Sequence, residues 1–149
     1  MMSASVSGGF SLVEVLLVLA LIGIVVGVQG PVVAGQVASN AFRTTTESAL
    51  QLHRQAQAYA RASAHDSAWG VYSTAQEVVL FRGESYASRD ATYDIAYVVP
   101  TSIFVSGDSE CVFQKRTGYT ASGCTSVLTH PRGHSATLAT SVYGQVSIQ

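Results

Sequence analysis

The chain has 149 residues, of which 48% are hydrophobic, and its eight basic and nine acidic side chains give a formal net charge of −1. This near-neutral balance excludes a strong electrostatic attraction of the whole chain to nucleic acid. The part that follows the apolar N-terminal run is long enough for one compact domain and too short for two.

The first predicted element is a helix over an apolar run, residues 10–28, whose only polar side chains are Ser11 and Glu14. At about 1.5 Å per residue the run spans roughly 28 Å, close to the roughly 30 Å hydrocarbon core of a bilayer. The sequence therefore predicts a transmembrane and assembly helix over residues 10–30. A carboxylate inside a membrane costs on the order of 2–3 kcal/mol, so Glu14 indicates a functional contact.

Residues 1–9 carry no charge and are predicted to be a leader peptide. An ordinary secretory signal peptide is disfavoured, because it needs a basic N-terminal region and a small-residue cleavage site after the apolar run. A cut after Gly9 would instead free the amine of Phe10, one helical turn from Glu14. In staggered copies of the helix, Glu14 of one chain can meet the Phe10 amine of its neighbour. At about 4 Å and an effective dielectric of about 20, this pairing is worth roughly 4 kcal/mol.

Residues 31–65 are predicted to form an amphipathic helix that packs on a globular head. Pro31 removes one helix hydrogen bond and clashes with the preceding turn, which predicts a kink at this point. The helix is expected to end near residues 65–67. Its predicted buried face recurs at spacings of three and four residues: Val33, Val37, Ala41, Thr45, Ala49, Leu52, Ala56, Tyr59 and Ser63.

From residue 66 to residue 149 the sequence predicts a β head. Residues 69–72 and 77–81 flank a polar turn and predict a hairpin. Further short strands are predicted over residues 93–99, 103–105, 110–115, 124–129, 136–142 and 145–148. Such strands favour two small antiparallel sheets or a sandwich. The predicted fold class is therefore α+β: a long N-terminal helix, transmembrane in its first half and amphipathic in its second, packed on a small antiparallel β head.

Gly9, Phe10 and Glu14, followed by an apolar helix, resemble the class III leader and N-terminal helix of type IV pilins and type II secretion pseudopilins. The resemblance implies cleavage after Gly9 by a prepilin peptidase, N-methylation of Phe10 and a role for Glu14 in aligning incoming subunits. Pro31 fits a family in which this part of the helix bends or melts inside filaments. Leaders of the family usually carry Lys or Arg before the glycine, and residues 1–9 carry neither.

The same resemblance implies partners and a location. The partners are other pilin or pseudopilin subunits, the prepilin peptidase and an inner-membrane assembly platform. The location is the cytoplasmic (inner) membrane, crossed once with the head outside the cytoplasm, and then the pilus or pseudopilus.

Within this family, the sequence of the head most resembles the H-type pseudopilins of type II secretion and the FimT-type minor pilins. The residues that carry this resemblance are 68–72, 79–81, Tyr86, 89–90 and 143–148. We interpret the aromatic side chains here as core and strand surface: Trp69, Tyr72, Phe81 and Tyr86. Some FimT-type proteins bind DNA through basic residues beside the final glycine. Residues 144–149 contain no Arg or Lys, so DNA binding is disfavoured. Three cations elsewhere in the head would make only a thin patch if they gathered near one end, and we expect them to be solvated loop residues: Lys115, Arg116 and Arg132.

The sequence predicts neither an enzyme nor a cofactor. The head contains no nucleophile motif, phosphate loop or close pair of carboxylates. His130 and His134 have a spacing that metal ligands use, but no Cys or acidic residue lies near them in sequence. We therefore expect these two histidines to be surface-loop residues and predict no metal site.

Cys111 and Cys124 are predicted to lie on neighbouring strands and to form a disulfide outside the cytoplasm. A closed loop of about a dozen residues would stabilise the head by roughly 3 kcal/mol in the chain-entropy model. The alternative is a pair of unbonded small core residues.

Two classes of function follow. The favoured hypothesis is a minor pilin or pseudopilin, a structural subunit that assembles through its N-terminal helix and takes part in priming a filament or forming its tip. The alternative is a membrane-anchored binding module of a DNA-uptake or adhesion pilus, whose head recognises DNA, a surface or an exported protein.

Overall fold

The computed structural model describes residues 10–27 and 35–149 and, for residues 28–34, the helical backbone alone. The chain divides into two compact units, and the boundary in sequence falls between Ala38 and Ser39. The elements are α1 (Leu12–Arg61), β1 (Trp69–Ser73), β2 (Glu77–Arg82), β3 (Asp90–Val98), β4 (Phe104–Gly107), β5 (Glu110–Phe113), β6 (Cys124–His130), β7 (His134–Thr140) and β8 (Val146–Ile148). Short 3₁₀ turns lie at Ala64–Asp66 and Tyr86–Ser88.

The N-terminal unit contains the first part of α1. The Ser11 carbonyl accepts hydrogen bonds from the backbone N–H groups of Glu14 (3.0 Å) and Val15 (3.2 Å), which closes the first turn. Glu14 in this turn complements the positive end of the helix dipole. The predicted cleavage position Gly9 and the predicted kink at Pro31 both lie outside the residues whose side chains the structure describes.

The prediction that the first half of the N-terminal helix is transmembrane is wrong. The corrected fold is α1 with two small antiparallel sheets and, within the described residues, without a membrane-spanning helix. Among the described residues, none of the helices combines the length and the apolar character that crossing a bilayer requires.

Sheet A is antiparallel, with the strand order β3-β2-β1-β5. The predicted hairpin is confirmed, since β1 pairs with β2 from Trp69 opposite Arg82 to Ser73 opposite Val78. The Thr74 hydroxyl accepts from the N–H groups at 76 and 77 and donates to the carbonyl at 77, which fixes the tight turn between the two strands.

Sheet B is also antiparallel, with the strand order β4-β6-β7-β8. Two small antiparallel sheets were predicted for the head, and this part of the prediction is confirmed. In β6 buried residues alternate with more exposed ones, as expected for a strand with one face on a core. The alternation turns four side chains inward: Cys124, Ser126, Leu128 and His130.

The core of the second unit joins α1 to both sheets. Buried α1 residues recur at helical spacing, at Thr45, Ala49, Leu52, Ala56 and Ala60. Most of them are small, so the helix backbone lies close to the strands. The buried Thr45 hydroxyl donates to the carbonyl of Ala41 at 2.9 Å, so burying it leaves no unpaired donor.

The helix ends earlier than the sequence indicates, at Arg61 rather than near residue 65. Ser63, His65 and Asp66 all have left-handed backbone angles, which turn the chain sharply from α1 into β1. Trp69 stabilises this connection, because its indole N–H donates to the Ala64 carbonyl at 3.0 Å.

The disulfide between Cys111 and Cys124 is present, with the two Cα atoms 5.8 Å apart. Its setting differs from the prediction, because β5 belongs to sheet A and β6 to sheet B, so the two strands are not neighbours in one sheet. The connection between β5 and β6 leaves one sheet and enters the other. The bond therefore links the two sheets.

Candidate functional site

The first candidate site is the assembly segment, which we define as residues 10–27. Its apolar side chains point in every direction around the helix, and thirteen large ones are exposed, from Phe10 at 83% to Val26. The surface is open at Gly23 and Gly27 too, because a Cβ at either glycine would meet no side chain of the described residues within 4 Å. An apolar surface of this extent marks a contact with other molecules.

Glu14 is the only charged side chain in the assembly segment. It is exposed, and within the described residues it has no hydrogen bond or ion pair through its side chain. A local role is available, since Ser11 and Glu14 have the spacing of a capping box and an acid in the first turn gains about 0.3–1 kcal/mol from the helix dipole. Neither interaction explains why the carboxylate of Glu14 lies among apolar side chains. When another molecule covers those side chains, an unpaired carboxylate is buried with them at a high cost in free energy.

Phe10 lies two residues before the start of α1, and it is 83% exposed. Together with Glu14, Val15, Val18 and Leu19 it lines a shallow groove of about 300 Å³. Phe10 and Val15 occupy the two positions of a hydrophobic staple, the residue before the N-cap and the fourth residue of the helix. The groove brings Phe10 and Glu14 together on one surface, as their spacing predicts.

Comparisons with known proteins identify no relative. No protein-family model matches the chain, and neither curated proteins nor solved structures gave a match.

In the head, the aromatic residues singled out in the sequence divide into buried and stacked side chains. Trp69 and Phe81 are buried, whereas Tyr72 and Tyr86 are half-buried and stack with their ring centroids 3.9 Å apart. The guanidinium of Arg89 lies 3.7 Å from the centroid of the Tyr86 ring. These contacts hold the segment after β2 against the outer face of sheet A, so the interpretation as core and strand surface is confirmed.

That segment has a second anchor in an ion pair. Arg89 Nε donates to Asp94 Oδ2 at 2.8 Å, and this hydrogen bond raises the pKa of the guanidinium. Arg89 Nη1 also donates to the Tyr86 carbonyl, and the Tyr86 N–H donates to a carboxylate oxygen of Glu110 at 2.8 Å. Asp94 Oδ1 is buried and has no hydrogen-bond partner among the described residues.

His130 and His134 lie close together at one end of sheet B. They lie at the facing ends of β6 and β7 rather than in a loop, with ring centroids 6.0 Å apart, and His130 is buried. His130 Nδ1 accepts from the Arg132 N–H, and the His134 ring stacks on Phe42. Among the described residues, no group of three or more His, Cys, Asp or Glu side chains could hold a metal ion.

Of the basic residues named in the sequence, Lys115 is ion-paired and Arg116 contacts α1 through its backbone. Lys115 pairs with Asp66 at 2.5 Å, and this hydrogen bond lowers the pKa of the Asp66 carboxyl. The Arg116 backbone N–H donates to the carbonyl of Ala60 at the end of α1.

The structure adds a second candidate site that the sequence did not indicate, a cleft of about 360 Å³ beside β3. Its eight lining residues are Tyr59, Ala64, His65, Trp69, Thr92, Tyr93, Asp94 and Ile95. The rings lie close together, with centroids 4.8 Å apart for Tyr59 and Trp69 and 4.5 Å apart for His65 and Tyr93. We call it the aromatic cleft.

Two backbone irregularities border the aromatic cleft. His65 is a non-glycine residue with a φ of 54°, and its carbonyl accepts from Arg82 Nη2 at 2.9 Å. In β3, residues 91–94 bulge opposite a single position of β2, because Leu80 pairs with Ile95 and Arg82 with Asp90. Strained backbone and bulges concentrate at functional sites. No local motif in the sequence could have indicated the cleft, because its aromatic residues come from three separate segments.

Proposed function

We propose that the chain is a structural subunit of a pilin-like filament, a minor pilin or pseudopilin that assembles through residues 10–27 after cleavage between Gly9 and Phe10. The observation that carries the proposal is the assembly segment itself: an apolar helix surface exposed all round, with Glu14 as its one charged group. The proposed partners are other pilin or pseudopilin subunits, the prepilin peptidase and an inner-membrane assembly platform.

The apolar surface supplies the driving force in this proposal. Burying a large apolar side chain is worth about 1.5–3 kcal/mol. Covering half of the thirteen exposed ones would therefore yield on the order of 10–20 kcal/mol before the cost of association. Neighbouring helices of the same kind can supply that cover.

Glu14 supplies direction and register. Apolar packing alone permits many axial offsets between neighbouring helices, whereas a buried carboxylate is tolerated only at an offset where a cation meets it. The Phe10 amine freed by cleavage is such a cation. At about 4 Å and an effective dielectric of about 20, the pair gains roughly 4 kcal/mol.

The disulfide supports a location outside the cytoplasm for the head. Disulfides persist in oxidising compartments and are rare in the cytosol. Cys111 and Cys124 are both buried and bonded, which is typical of a structural rather than a catalytic pair.

The proposal is tested by intact-mass analysis of the chain recovered from sheared filaments of the native host. We expect a mature chain that begins at Phe10 with an added N-methyl group. Gly9→Leu should abolish this species and leave the precursor out of filaments, since the bulky side chain occupies the position where the peptidase needs none.

Ser5→Leu is the matched control, because it adds the same side chain four residues before the cleavage position and should not change processing. Filaments that contain the chain with Met1 still attached, or a mature chain that begins elsewhere than Phe10, would contradict the proposal.

A further inference from the structure

Three arginines of the head carry charges that no other side chain pairs: Arg54, Arg61 and Arg116. All three are exposed, and within the described residues none of them forms a hydrogen bond or an ion pair through its guanidinium. By contrast, four other cations each have a carboxylate partner: Arg43, Arg82, Arg89 and Lys115.

The three unpaired arginines lie together at the C-terminal end of α1. Arg54 and Arg61 are two helical turns apart, which places them on one face of α1 at a separation of about 10 Å. The Arg116 N–H donates to the Ala60 carbonyl at 2.8 Å, so Arg116 lies beside the last turn of the same helix.

One nearby carboxylate, Asp66, does not cancel these charges. Lys115 and, to a smaller extent, Arg116 lower the pKa of the Asp66 carboxyl. The Asp66 carboxylate is already paired with Lys115. This pair is neutral as a whole, so the three guanidiniums leave an excess of positive charge at this end of the head.

Two exposed tyrosines lie beside these cations. Tyr119 and Tyr143 are 43% and 66% exposed, and their rings pack edge to face with centroids 5.6 Å apart. A Cβ at Gly118 would lie 2.9 Å from Arg61 Nε, so the Arg61 side chain lies against the loop that carries Tyr119. We call these five residues the Tyr–Arg surface: Arg54, Arg61, Arg116, Tyr119 and Tyr143.

Hydrogen bonds fix the two loops that carry the tyrosines. The Gln114 N–H donates to the Tyr119 carbonyl at 2.7 Å, and the Thr120 N–H donates to the Val142 carbonyl at 2.9 Å. The Thr120 hydroxyl also donates to the Ser141 carbonyl at 3.0 Å. Because the loops are held in place before a partner arrives, association costs less conformational entropy.

The side chains of the Tyr–Arg surface favour a protein partner. Tyr and Arg are the residues that most often dominate the binding energy of protein interfaces, and Arg can bind a carboxylate through two parallel hydrogen bonds. Val142, which is 46% exposed beside Tyr143, adds aliphatic surface that an apolar side chain of a partner can cover. Nucleic acid would gain only three phosphate contacts here, which are few for tight binding at physiological salt.

We propose that the Tyr–Arg surface binds an acidic segment of another protein, whose carboxylates pair with the arginines and whose apolar side chains pack on the tyrosines. The unpaired positive charge at this surface is what selects an acidic partner. This inference goes beyond the proposed filament assembly, which uses residues 10–27.

The test measures binding of the full-length protein to two labelled peptides of about twelve residues. Both have a central Leu, and they differ only in carrying Glu or Gln at alternate positions. At low salt the Glu peptide should bind at least about tenfold more tightly than the Gln peptide. This preference should shrink when the ionic strength is raised to about 0.5 M, because salt screens exposed charges.

The double variant Arg61→Gln with Arg116→Gln should bring the two affinities to within about twofold of each other, because the cations that discriminate between them are gone. Arg61→Lys with Arg116→Lys keeps both charges and should retain most of the preference. Arg132→Gln is the matched control, since Arg132 lies in the turn between β6 and β7, and it should bind like the parent protein.

Tyr143→Ser tests the aromatic part of the surface and should weaken both peptides by about fivefold or more. Phe104→Ser is its control. Phe104 is an exposed aromatic residue of β4 outside the Tyr–Arg surface, so this variant should keep the parental affinities.

The proposal is overturned if neither peptide binds, if both bind equally well, or if the Gln double variant keeps the preference for Glu. A single-stranded DNA of about twelve nucleotides is the third probe, and tighter binding of this DNA than of the Glu peptide would assign the surface to nucleic acid instead. Self-association of the parent protein that the Gln double variant abolishes would assign it to a second copy of the chain.

Discussion

At the residue scale, Gly70 in β1 shows how one missing side chain shapes the head. A Cβ at this position would lie 2.8 Å from Phe81 Cε1 and 3.0 Å from the Cys111 carbonyl oxygen. In an open strand, Ala is preferred over Gly by about 0.5–1 kcal/mol. Here the fully buried Phe81 ring occupies the space that a side chain would need.

We therefore expect Gly70→Ala to lower the free energy of unfolding by about 1–3 kcal/mol, measured by urea denaturation. Phe81→Leu removes the ring atoms that clash, so it provides the control. In that background the additional cost of Gly70→Ala should fall by at least about half. Equal costs in both backgrounds would exclude the Phe81 ring as the cause.

His53 in α1 links stability to pH. It is only 3% exposed, and its Nδ1 lies 2.8 Å from the Ala49 carbonyl oxygen, to which it donates. Burial lowers the pKa of His53 below its ordinary value of 6.5. The folded head therefore holds His53 neutral, and the unfolded chain takes up a proton first as the pH falls.

The resulting loss of stability begins as the pH falls below about 6.5 and reaches at most about 1.4 kcal/mol per pH unit. Above that pH the imidazole is neutral in both states and has no effect. Urea midpoints at about pH 7.5 and about pH 5 should differ less in His53→Gln than in the parent protein. His134→Gln, at an exposed histidine, should keep the parental difference, and an unchanged difference in His53→Gln would contradict this account.

At the scale of elements, the disulfide decides how firmly the two sheets are joined. It closes a loop with a sequence separation of 13 between β5 and β6. In the chain-entropy model such a loop contributes roughly 3 kcal/mol. For a unit of this size we expect reduction to lower Tm by roughly 10–20 °C.

Thermal unfolding with and without reductant measures this effect. The double variant Cys111→Ala with Cys124→Ala should unfold near the reduced protein and should not respond to reductant. A parent protein whose Tm is the same in both conditions would show that the bond contributes nothing to stability.

Elements whose contacts are local could be predicted from the sequence. The β1–β2 hairpin follows from two apolar runs around a short polar turn, and the structure shows Thr74 fixing that turn. Likewise, the buried stripe of α1 at Thr45, Ala49, Leu52 and Ala56 follows from helical periodicity.

Elements whose partners are distant in sequence could not be predicted in this way. Placing Cys111 and Cys124 on neighbouring strands assumed that strands adjacent in sequence pair, but the chain changes sheets between β5 and β6. The end of α1 was missed because three non-glycine residues with left-handed backbone angles end it, and no sequence pattern encodes them. The aromatic cleft was missed for a related reason, since Tyr59, Trp69 and Tyr93 meet only in the folded head.

At the scale of the whole molecule, the two units differ in whether their apolar side chains are buried within the unit. The head has its own core, in which α1 and both sheets bury one another's apolar side chains. The assembly segment exposes its apolar side chains on every side. An exposed apolar surface of this kind is typical of a contact with other molecules. Under the proposed function, neighbouring subunits of the filament bury it.

Glu14 provides the test of that view. In a filament, Glu14→Leu would add apolar surface and leave the neighbouring Phe10 amine as a buried, unpaired charge, at a cost of about 3–5 kcal/mol. Cleavage after Gly9 should persist, because the junction lies a turn away from the substitution. Incorporation should fail, and Glu14→Gln should be defective to a lesser degree, since it keeps the shape and the hydrogen-bonding capacity.

The measurement is the fraction of each variant in sheared filaments relative to its level in the cell, with the processing state checked by intact mass. Glu47→Leu is the matched control, since Glu47 is an exposed glutamate of α1 that pairs with Arg43 at 3.0 Å, in the second unit. An exposed pair of this kind is worth less than about 1 kcal/mol, so this variant should assemble normally. If Glu14→Leu is incorporated as well as Glu47→Leu, the carboxylate does not set the register, and apolar packing alone must account for assembly.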